Sequence, residues 1–302
     1  MENKVRFYQA SPAFETVMAI LIGLGVCLTR LSTAVSQISL VLATLTGFYL
    51  WWKNGKRLEL NPLAKKYMKV VGIFFAAALF SVIDVDNKAA TFRYFFGDWI
   101  WRFMVFILIV AFVRQKEYLL KILAGFLGVF SIDCFVACYQ FFILHWERGR
   151  GFHGDYLDLT AIICMVLAMS AIILLDSSFD KNIKKFALLG VISSIAGLFG
   201  CFGRGAFLVS ALVAPFYLFY YLRNSKKIAG IVLIVLLLIG STIVSSPKYV
   251  ERLSTTINTT TNRSNVDRIW TWKASFDMFK DYPINGVGLN NWNWYYKNKG
   301  YR

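Results

Sequence analysis

The stretch Gly200-Cys201-Phe202-Gly203-Arg204-Gly205-Ala206-Phe207-Leu208 separates two apolar runs, residues 186–199 and 206–222. Runs of this kind cross bilayers, so Arg204 is predicted to lie in a short turn at the membrane rim. An arginine at that depth is costly unless it faces a polar cavity or a partner. Glycine on both sides lets a ligand approach, and the fork of N–H donors suits phosphate or carboxylate oxygens. The alternative is an arginine that snorkels from a helix end to the interface.

The composition is that of a membrane protein. Mean hydropathy is +0.54, 57% of the residues are hydrophobic and only 17% are charged. The net charge of +16 would suit a nucleic-acid-binding protein. However, the basic residues come in short clusters between apolar runs, as membrane topology requires. We therefore expect membrane lipids, and no nucleic acid, as partners.

The sequence has no pattern typical of a metal or redox site. Its cysteines form no CxxC pair and lie in or at the ends of apolar runs, which indicates buried small side chains. His145 and His153 lie in one glycine-rich loop, but their spacing matches no metal-ligand pattern. The first apolar run is followed directly by a second, so we interpret it as a permanent span and not as a cleaved signal peptide.

A transmembrane helix needs about 20 mainly apolar residues, and this criterion predicts about nine spans. The predicted spans are 14–31, 35–52, 67–83, 99–113, 118–144, 157–175, 184–202, 206–222 and 228–245. The predicted fold is therefore an all-α polytopic membrane protein. Residues 1–245 are expected to form the transmembrane helical domain, and residues 246–302 the first part of a large outer loop that contains an amphipathic helix.

Lysine and arginine are concentrated in alternate connections between these spans. The richer connections contain Lys56, Lys184 and Lys226. The positive-inside rule assigns them, and the N-terminus, to the cytoplasm.

The intervening connections then share the outer face with the tail. One of them, 84–98, has many aromatic residues, which is typical of an interfacial belt. Another, 145–155, holds Arg148 and Arg150 among glycines, and the third is the turn at Arg204. We therefore expect a functional site on the outer face.

The tail is predicted to contain a helix. The stretch Ser264-Asn265-Val266-Asp267 reads as a capping box, and Pro283 prevents the helix from continuing far past Asp281. Arg268 is then expected in the first turn. Beside it, four apolar residues share one face, which should lie on the membrane surface or against the spans: Ile269, Trp272, Phe276 and Phe279.

Three motifs also occur in a known family. Gly203-Arg204-Gly205-Ala206-Phe207-Leu208 resembles an arginine-x-x-x-leucine turn between two late spans. Arg268-Ile269-Trp270, followed by Pro283-Ile284-Asn285-Gly286-Val287-Gly288-Leu289, resembles a segment that opens a large outer loop. Arg150-Gly151-Phe152 is similar to a glycine-rich loop before the sixth span. Together they resemble the O-antigen ligase and O-antigen polymerase superfamily of bacterial envelope enzymes.

The resemblance implies a glycan transferase of the bacterial cytoplasmic (inner) membrane. Such an enzyme moves a glycan from undecaprenyl diphosphate to a hydroxyl of lipid A core, or to another glycan acceptor, on the outer, periplasmic face. By this resemblance Arg204 and Arg268 bind the diphosphate of the donor, and Arg150 is a weaker candidate. Arginines can stabilise the negative charge that develops on a departing diphosphate, so neither a metal nor a cofactor is required.

The chain departs from the family in one respect. The family places a histidine, the general base for the acceptor hydroxyl, later in the outer loop, and no histidine follows His153 in this chain. The chain therefore resembles a C-terminally truncated member. We expect it to bind its lipid donor without completing transfer.

Several functions remain open from the sequence. A polysaccharide polymerase or a protein O-oligosaccharyltransferase of the same superfamily would use the same arginines with another acceptor. A transporter of an anionic solute, with Arg204 as its binding site, belongs to a different class. Consumption of a lipid-linked glycan separates these classes, because a transporter leaves its solute chemically unchanged.

Overall fold

The computed structural model describes residues 12–53, 62–83, 85–201 and 260–301, together with Gly203, Ala206, Ser210, Arg223 and Val250. All regular structure within these residues is helical. The main helices are α1 (Pro12–Cys27), α2 (Thr33–Lys53), α3 (Pro62–Phe80), α4 (Lys88–Tyr94), α5 (Ile100–Phe112), α6 (Lys116–Phe142), α7 (Tyr156–Leu175), α8 (Lys181–Cys201), α9 (Arg263–Asp281) and α10 (Trp292–Asn298).

Six helical segments of the described chain are long and apolar enough to cross a membrane, so the protein is a multi-pass membrane protein. They are Ala13–Arg30, Thr33–Lys53, Lys88–Phe112, Lys116–Phe142, Tyr156–Leu175 and Lys181–Cys201. Each coincides with a predicted span. The last two predicted spans, 206–222 and 228–245, lie outside the described residues apart from Ala206 and Ser210, and so does the predicted boundary at 245.

The predicted third span, 67–83, is not among the six. The helix does form, as α3, but it begins at Pro62 and ends at Phe80. Its first turns carry Lys65, Lys66 and Lys69, so it is less apolar than a typical span. The predicted span began at residue 67, after Lys65 and Lys66, whereas the structure includes both of these lysines in the helix.

The fourth predicted span, 99–113, begins earlier than expected. Helix α4 starts at Lys88, where the side chain of Asn87 accepts a hydrogen bond from the N–H of Ala90 at 3.2 Å. A π-helical turn, Phe95–Trp99, joins α4 to α5, giving one helical segment. Much of the predicted connection 84–98 is therefore helix and not loop.

The chain divides into two compact units, which are described here one at a time. The first comprises Met1–Met18, Ala43–Arg114 and Ile257–Arg302, and the second comprises Ala19–Leu42 and Gln115–Thr256.

The second unit is built on helices α6, α7 and α8. Its core joins buried side chains of all three helices: Leu127, Phe130, Cys134, Ala137, Leu159, Ile163, Val166, Leu198 and Cys201. The buried face of α8 consists largely of small residues, among them Ala187, Gly190, Ser194 and Gly197. Small side chains let membrane helices approach closely, so dispersion contacts and interhelical hydrogen bonds can replace the missing hydrophobic drive. One such bond joins the hydroxyls of Ser131 and Ser193 at 3.0 Å.

Helix α8 approaches the backbone of α6 closely at Gly200, near its own end. A Cβ at this position would lie 2.8 Å from the backbone nitrogen of Cys138 and 2.9 Å from the carbonyl carbon of Ala137. Backbone atoms cannot rotate away as a side chain does, so only glycine fits. The end of α8, which leads into the arginine turn at 204, is thereby held against α6.

The first unit has a smaller core around its tail. Val85, Met278 and Tyr295 are its buried members, with several aromatic side chains packed around them: Tyr282, Trp292, Trp294, Tyr296 and Tyr301. The segment after α9 thus folds onto the residues that precede α4.

We expect Gly200→Ala to destabilise the protein, because its methyl group would force α6 and α8 apart. Overpacking of this kind costs about 1–3 kcal/mol. The matched control is Gly72→Ala in α3, where no atom lies within 4 Å of the added Cβ. That change should be neutral or stabilise the helix by up to about 1 kcal/mol. The measurement is the temperature at which each purified variant loses its monodisperse peak in detergent. Equal temperatures for the two variants would contradict the close packing at Gly200.

Candidate functional site

The three predicted diphosphate-binding arginines are placed differently by the structure. Arg150 belongs to the second unit and Arg268 to the first, and each is described within its own unit. Arg204 lies outside the described residues, although its neighbour Gly203 is described. We therefore describe the surroundings of Arg150 and of Arg268 separately.

The loop that carries Arg150, residues 145–155, folds back over the end of α6. It turns at His145, whose φ of 55° is in the left-handed region. The N–H of Trp146 then donates to the carbonyl of Gln140 at 3.0 Å. Three residues on, the N–H of Gly149 donates to the carbonyl of Gly200 at 2.8 Å. The loop is thus bonded both to α6 and to the end of α8.

Gln140, in the last turn of α6, is the first of two buried anchors for this loop. Its Oε1 accepts the N–H of Arg150 at 2.7 Å and the N–H of Gly151 at 3.0 Å. Its Nε2 donates to the carbonyl of Gly151 at 2.8 Å. Both ends of the carboxamide are therefore used, and three backbone groups that would otherwise be buried without partners are satisfied.

The second anchor is an ion pair between Arg30 and Asp133. The Nε of Arg30 lies 2.7 Å from Oδ2 of Asp133, and the carboxylate is fully buried. The other carboxylate oxygen accepts the N–H of Phe152 at 2.6 Å. Nη2 of Arg30 donates to the carbonyl of Arg150 at 3.1 Å. The pair therefore joins the end of the first span, the interior of α6 and the loop.

Two glycines allow the loop to lie this close to α6. A Cβ at Gly149 would collide with the backbone of Ala137, and one at Gly151 would collide with the carboxylate of Asp133. Gly151 also has a φ of 73°, which glycine adopts without a steric cost. The glycines around Arg150 are thus required by the packing of the backbone.

The side chain of Arg150 is not bonded to these anchors. It is exposed, and its guanidinium makes no hydrogen bond or ion pair within the described part of the chain. Arg148, by contrast, stacks on the ring of Tyr156, with Cζ 4.1 Å from the centroid. His145 and His153 are exposed, and no group of three His, Cys, Asp or Glu side chains that could hold a metal occurs among the described residues.

The residue before Arg204 is also held in this unit. A Cβ at Gly203 would lie 2.8 Å from Cγ2 of Thr160, near the start of α7. Because the N–H of Gly149 is bonded to the carbonyl of Gly200, the loop of Arg150 lies beside the end of α8. That Arg150 and Arg204 act together stays a prediction.

The anchors of the loop were not predicted from the sequence. Arg30 lies at the end of the first predicted span, and Asp133 and Gln140 lie inside the fifth. The signal was present, because an ionisable residue inside a membrane span needs a partner and indicates a site. Asp133 lies well inside α6, and an arginine at the end of another span is the natural partner for it.

Helix α9, which carries Arg268, begins earlier than predicted. Its N-cap is Asn262, whose side chain accepts from the N–H of Asn265, and not Ser264. Asparagine and serine are about equally good N-cap residues, so the residue type alone does not decide between these two positions. Arg268 consequently lies in the second turn, where its side chain is exposed and makes no hydrogen bond or ion pair with the described residues.

Most of the predicted apolar face of α9 is not covered by the described part of the chain. Trp272, Phe276 and Phe279 are all more than half exposed, whereas the buried side of the helix consists of Ala274 and Met278. Lys280 lies over the ring of Phe276 at 4.6 Å. Whether this face lies on the membrane surface or against spans remains a prediction.

The turn after α9 packs onto the segment that leads into α4. Gly286 and Gly288 have φ values of 65° and 77°, which fit the predicted glycine turn. At Gly288 a Cβ would lie 2.8 Å from both Oγ1 of Thr91 and Cγ2 of Val85, whereas at Gly286 nothing lies within 4 Å. The hydroxyl of Thr91 donates to the carbonyl of Leu289 at 3.2 Å.

Polar contacts complete this attachment within the first unit. The buried side chain of Asn291 donates to Oγ1 of Thr91 at 2.8 Å and to the carbonyl of Asn87 at 3.1 Å. The phenol of Tyr295 accepts the N–H of Asp86 at 3.2 Å, and burial raises its pKa. Lys299 donates to the carboxylate of Asp86, and this hydrogen bond raises the pKa of Lys299. The motif from 283 to 289 therefore fastens the tail to the start of α4.

We expect Gly288→Ala to weaken this attachment more than Gly286→Ala. Both changes put alanine in the left-handed region, at a cost of about 1–2 kcal/mol each. Only the methyl group at 288 also meets Thr91 and Val85. The measurement is the protease sensitivity of the tail in purified protein. Cleavage of both variants at the same rate would show that the packing at Gly288 is unimportant.

Among the comparisons with known proteins, one protein-family model matches the C-terminal part of the chain. Residues 189–302 match the protein-family model described as O-antigen ligase. No curated protein and no solved structure matches the chain. The matched segment contains the end of α8, the arginine turn at 204, all of α9 and the turn that follows it.

Proposed function

We propose that the protein is an O-antigen ligase, because residues 189–302 match the family model described as O-antigen ligase, a family of lipid-linked glycan transferases. In this proposal it moves a glycan from undecaprenyl diphosphate to a hydroxyl of lipid A core. The observation that carries the proposal is that one matched segment contains both arginine motifs, at 203–208 and 268–289.

The proposed mechanism uses arginines to stabilise the leaving group. When the acceptor hydroxyl attacks the anomeric carbon, the bond to the diphosphate breaks and negative charge develops on its oxygens. Arg204 and Arg268 bind these oxygens, with Arg150 as a third contact. Preorganised donors stabilise such charge strongly in a partly dry site. The exposed, unpartnered guanidinium groups of Arg150 and Arg268 support this assignment.

The reaction is proposed to take place on the periplasmic face of the cytoplasmic membrane. Residues 1–245 would form the transmembrane domain, with the N-terminus in the cytoplasm, and residues 246–302 would begin the outer loop. Two cysteine variants in a background without native cysteines test this orientation. His153→Cys should react with an impermeant maleimide in intact cells, whereas Lys181→Cys should react only after the membrane is broken. The reverse pattern would refute the orientation.

The direct test of the function is transfer in a reconstituted system. The protein is expressed from the complete coding sequence that contains this chain. It is then placed in nanodiscs with an undecaprenyl-diphosphate-linked glycan and lipid A core. A ligase consumes the donor and lengthens lipid A core. Transfer to a second lipid-linked glycan, or to a protein, would instead identify a polymerase or a protein O-oligosaccharyltransferase. An unchanged donor in every mixture would refute the transferase proposal.

We expect the arginine variants to separate site residues from other surface charges. Removal of a preorganised donor lowers a catalytic rate by roughly 100-fold or more. Arg268→Ala should show such a loss. The matched control is Arg263→Ala, five residues earlier on α9, where the guanidinium is exposed and lies 4.0 Å from Asp267. It removes the same charge and should retain most of the activity.

Arg204→Lys extends this test to geometry. Lysine keeps the charge but loses the planar fork, so it should be nearly as damaging as Arg204→Ala. A lysine variant with close to the original rate would reduce Arg204 to a general positive charge.

A further inference from the structure

The backbone of the loop from Gly149 to Phe152 is held by buried polar side chains, whereas the guanidinium of Arg150 is exposed. We propose that Arg30, Asp133 and Gln140 are positioning residues, which hold the backbone of Arg150 so that its guanidinium is preset to bind a lipid-linked diphosphate. This inference rests on the proposed function, because it adds residues to the same diphosphate-binding site.

The first step concerns the peptide groups on either side of the Cα of Arg150. Its N–H donates to Oε1 of Gln140 at 2.7 Å, and its carbonyl accepts from Nη2 of Arg30 at 3.1 Å. Each peptide group is planar, so fixing both groups fixes the direction of the Cα–Cβ bond between them. The side chain of Arg150 therefore starts from a defined position and direction.

The second step concerns the anchors, whose own side chains are held by hydrogen bonds. The carboxylate of Asp133 uses one oxygen for Arg30 and the other for the N–H of Phe152. Gln140 uses its oxygen for two N–H groups and its nitrogen for the carbonyl of Gly151. Arg30, Asp133 and Gln140 are all buried. Hydrogen bonds in such low-dielectric surroundings are strong, and a connected network rigidifies the groups that it joins.

The third step concerns the reason for using charges here. A loop can be held on a helix by apolar side chains, whereas a buried ion pair gains little net stability because both charges lose their hydration. The pair does provide directional bonds to two backbone groups of a loop whose glycines leave no room for side chains. These bonds define the geometry of the loop around Arg150, whose guanidinium makes no hydrogen bond or ion pair within the described part of the chain.

The fourth step is the consequence for binding. A mobile loop must be ordered when a ligand binds, and that entropy loss weakens binding. The backbone of this loop is already held by hydrogen bonds, and the N–H of Gly149 is bonded to the carbonyl of Gly200. Releasing the anchors should therefore weaken binding of a diphosphate without removing any positive charge from the site.

The experiment measures the affinity of the protein in nanodiscs for undecaprenyl diphosphate, with undecaprenol as the lipid control. Gln140→Met removes all three hydrogen bonds of one anchor at similar volume. Arg30→Lys keeps the charge beside Asp133 but loses the planar fork that also reaches the carbonyl of Arg150. We expect each variant to bind about tenfold more weakly, the loss that corresponds to ordering one loop side chain. The melting temperature of each variant is measured alongside.

A double-mutant cycle separates positioning from a merely structural role. If the anchors act through Arg150, neither variant should weaken binding further in an Arg150→Ala background. Ser131→Ala is the matched control, since it also removes buried hydrogen bonds of α6, but to Ser193 and the carbonyl of Leu127 and not to the loop. It should retain the original affinity.

Three outcomes would overturn the inference: additive losses in the Arg150→Ala background, original affinity in both anchor variants, or original affinity in Arg150→Ala itself. None of these would refute the proposed transferase, which is tested separately through product formation and Arg268→Ala. Conversely, binding that depends on Arg150 and its anchors in a protein that transfers no glycan would refute only the proposed function.

Discussion

The buried ion pair between Arg30 and Asp133 joins the end of the first span, helix α6 and the loop of Arg150 in the second unit. Removal of one partner of such a pair typically costs about 3–5 kcal/mol, because the remaining charge is left buried alone. Separating the two side chains would therefore leave a buried charge without its partner. The loop of Arg150 is bonded to both partners, and the loop is in turn bonded to the end of α8. The 2.7 Å contact between Arg30 and Asp133 therefore acts together with the bonds of Gln140 to hold the loop at this end of the unit.

Three arginines of this chain illustrate how surroundings decide the role of one side-chain type. Arg30 is buried, and its guanidinium donates to the carboxylate of Asp133 and to the carbonyl of Arg150. Arg148 lies over an aromatic ring, which satisfies the face of its guanidinium. Arg150 has its backbone held and its guanidinium free within the described part of the chain. The sequence alone does not separate these roles, because all three arginines lie at or just beyond the ends of predicted spans.

The sequence predicted six of the seven spans that fall within the described residues, and the family whose model matches residues 189–302, because both are encoded locally. A bilayer selects long apolar runs, and the arginine motifs are short. It erred where a helix extends into polar residues, as in α3 with its three lysines and in α4 ahead of Trp99. It could not identify the partner of Asp133, because Arg30 lies 103 residues away in the chain. Hydropathy averages over a window, so a single carboxylate inside α6 disappears into it. The capping residue of α9 was wrong by two positions, since Asn262 and Ser264 are equally good caps.

The pairing of Arg30 with Asp133 also bears on how the protein is made. A lone aspartate near the centre of a span costs about 2.5–3.5 kcal/mol on insertion into a bilayer. Arg30 is synthesised 103 residues before Asp133, so the first span has already entered the membrane when α6 arrives. Pairing with Arg30 offsets the cost of Asp133 and so stabilises α6 in the lipid. Because the pair needs both residues, it can form only after α6 has been synthesised, which makes it a late contact in the assembly of this unit.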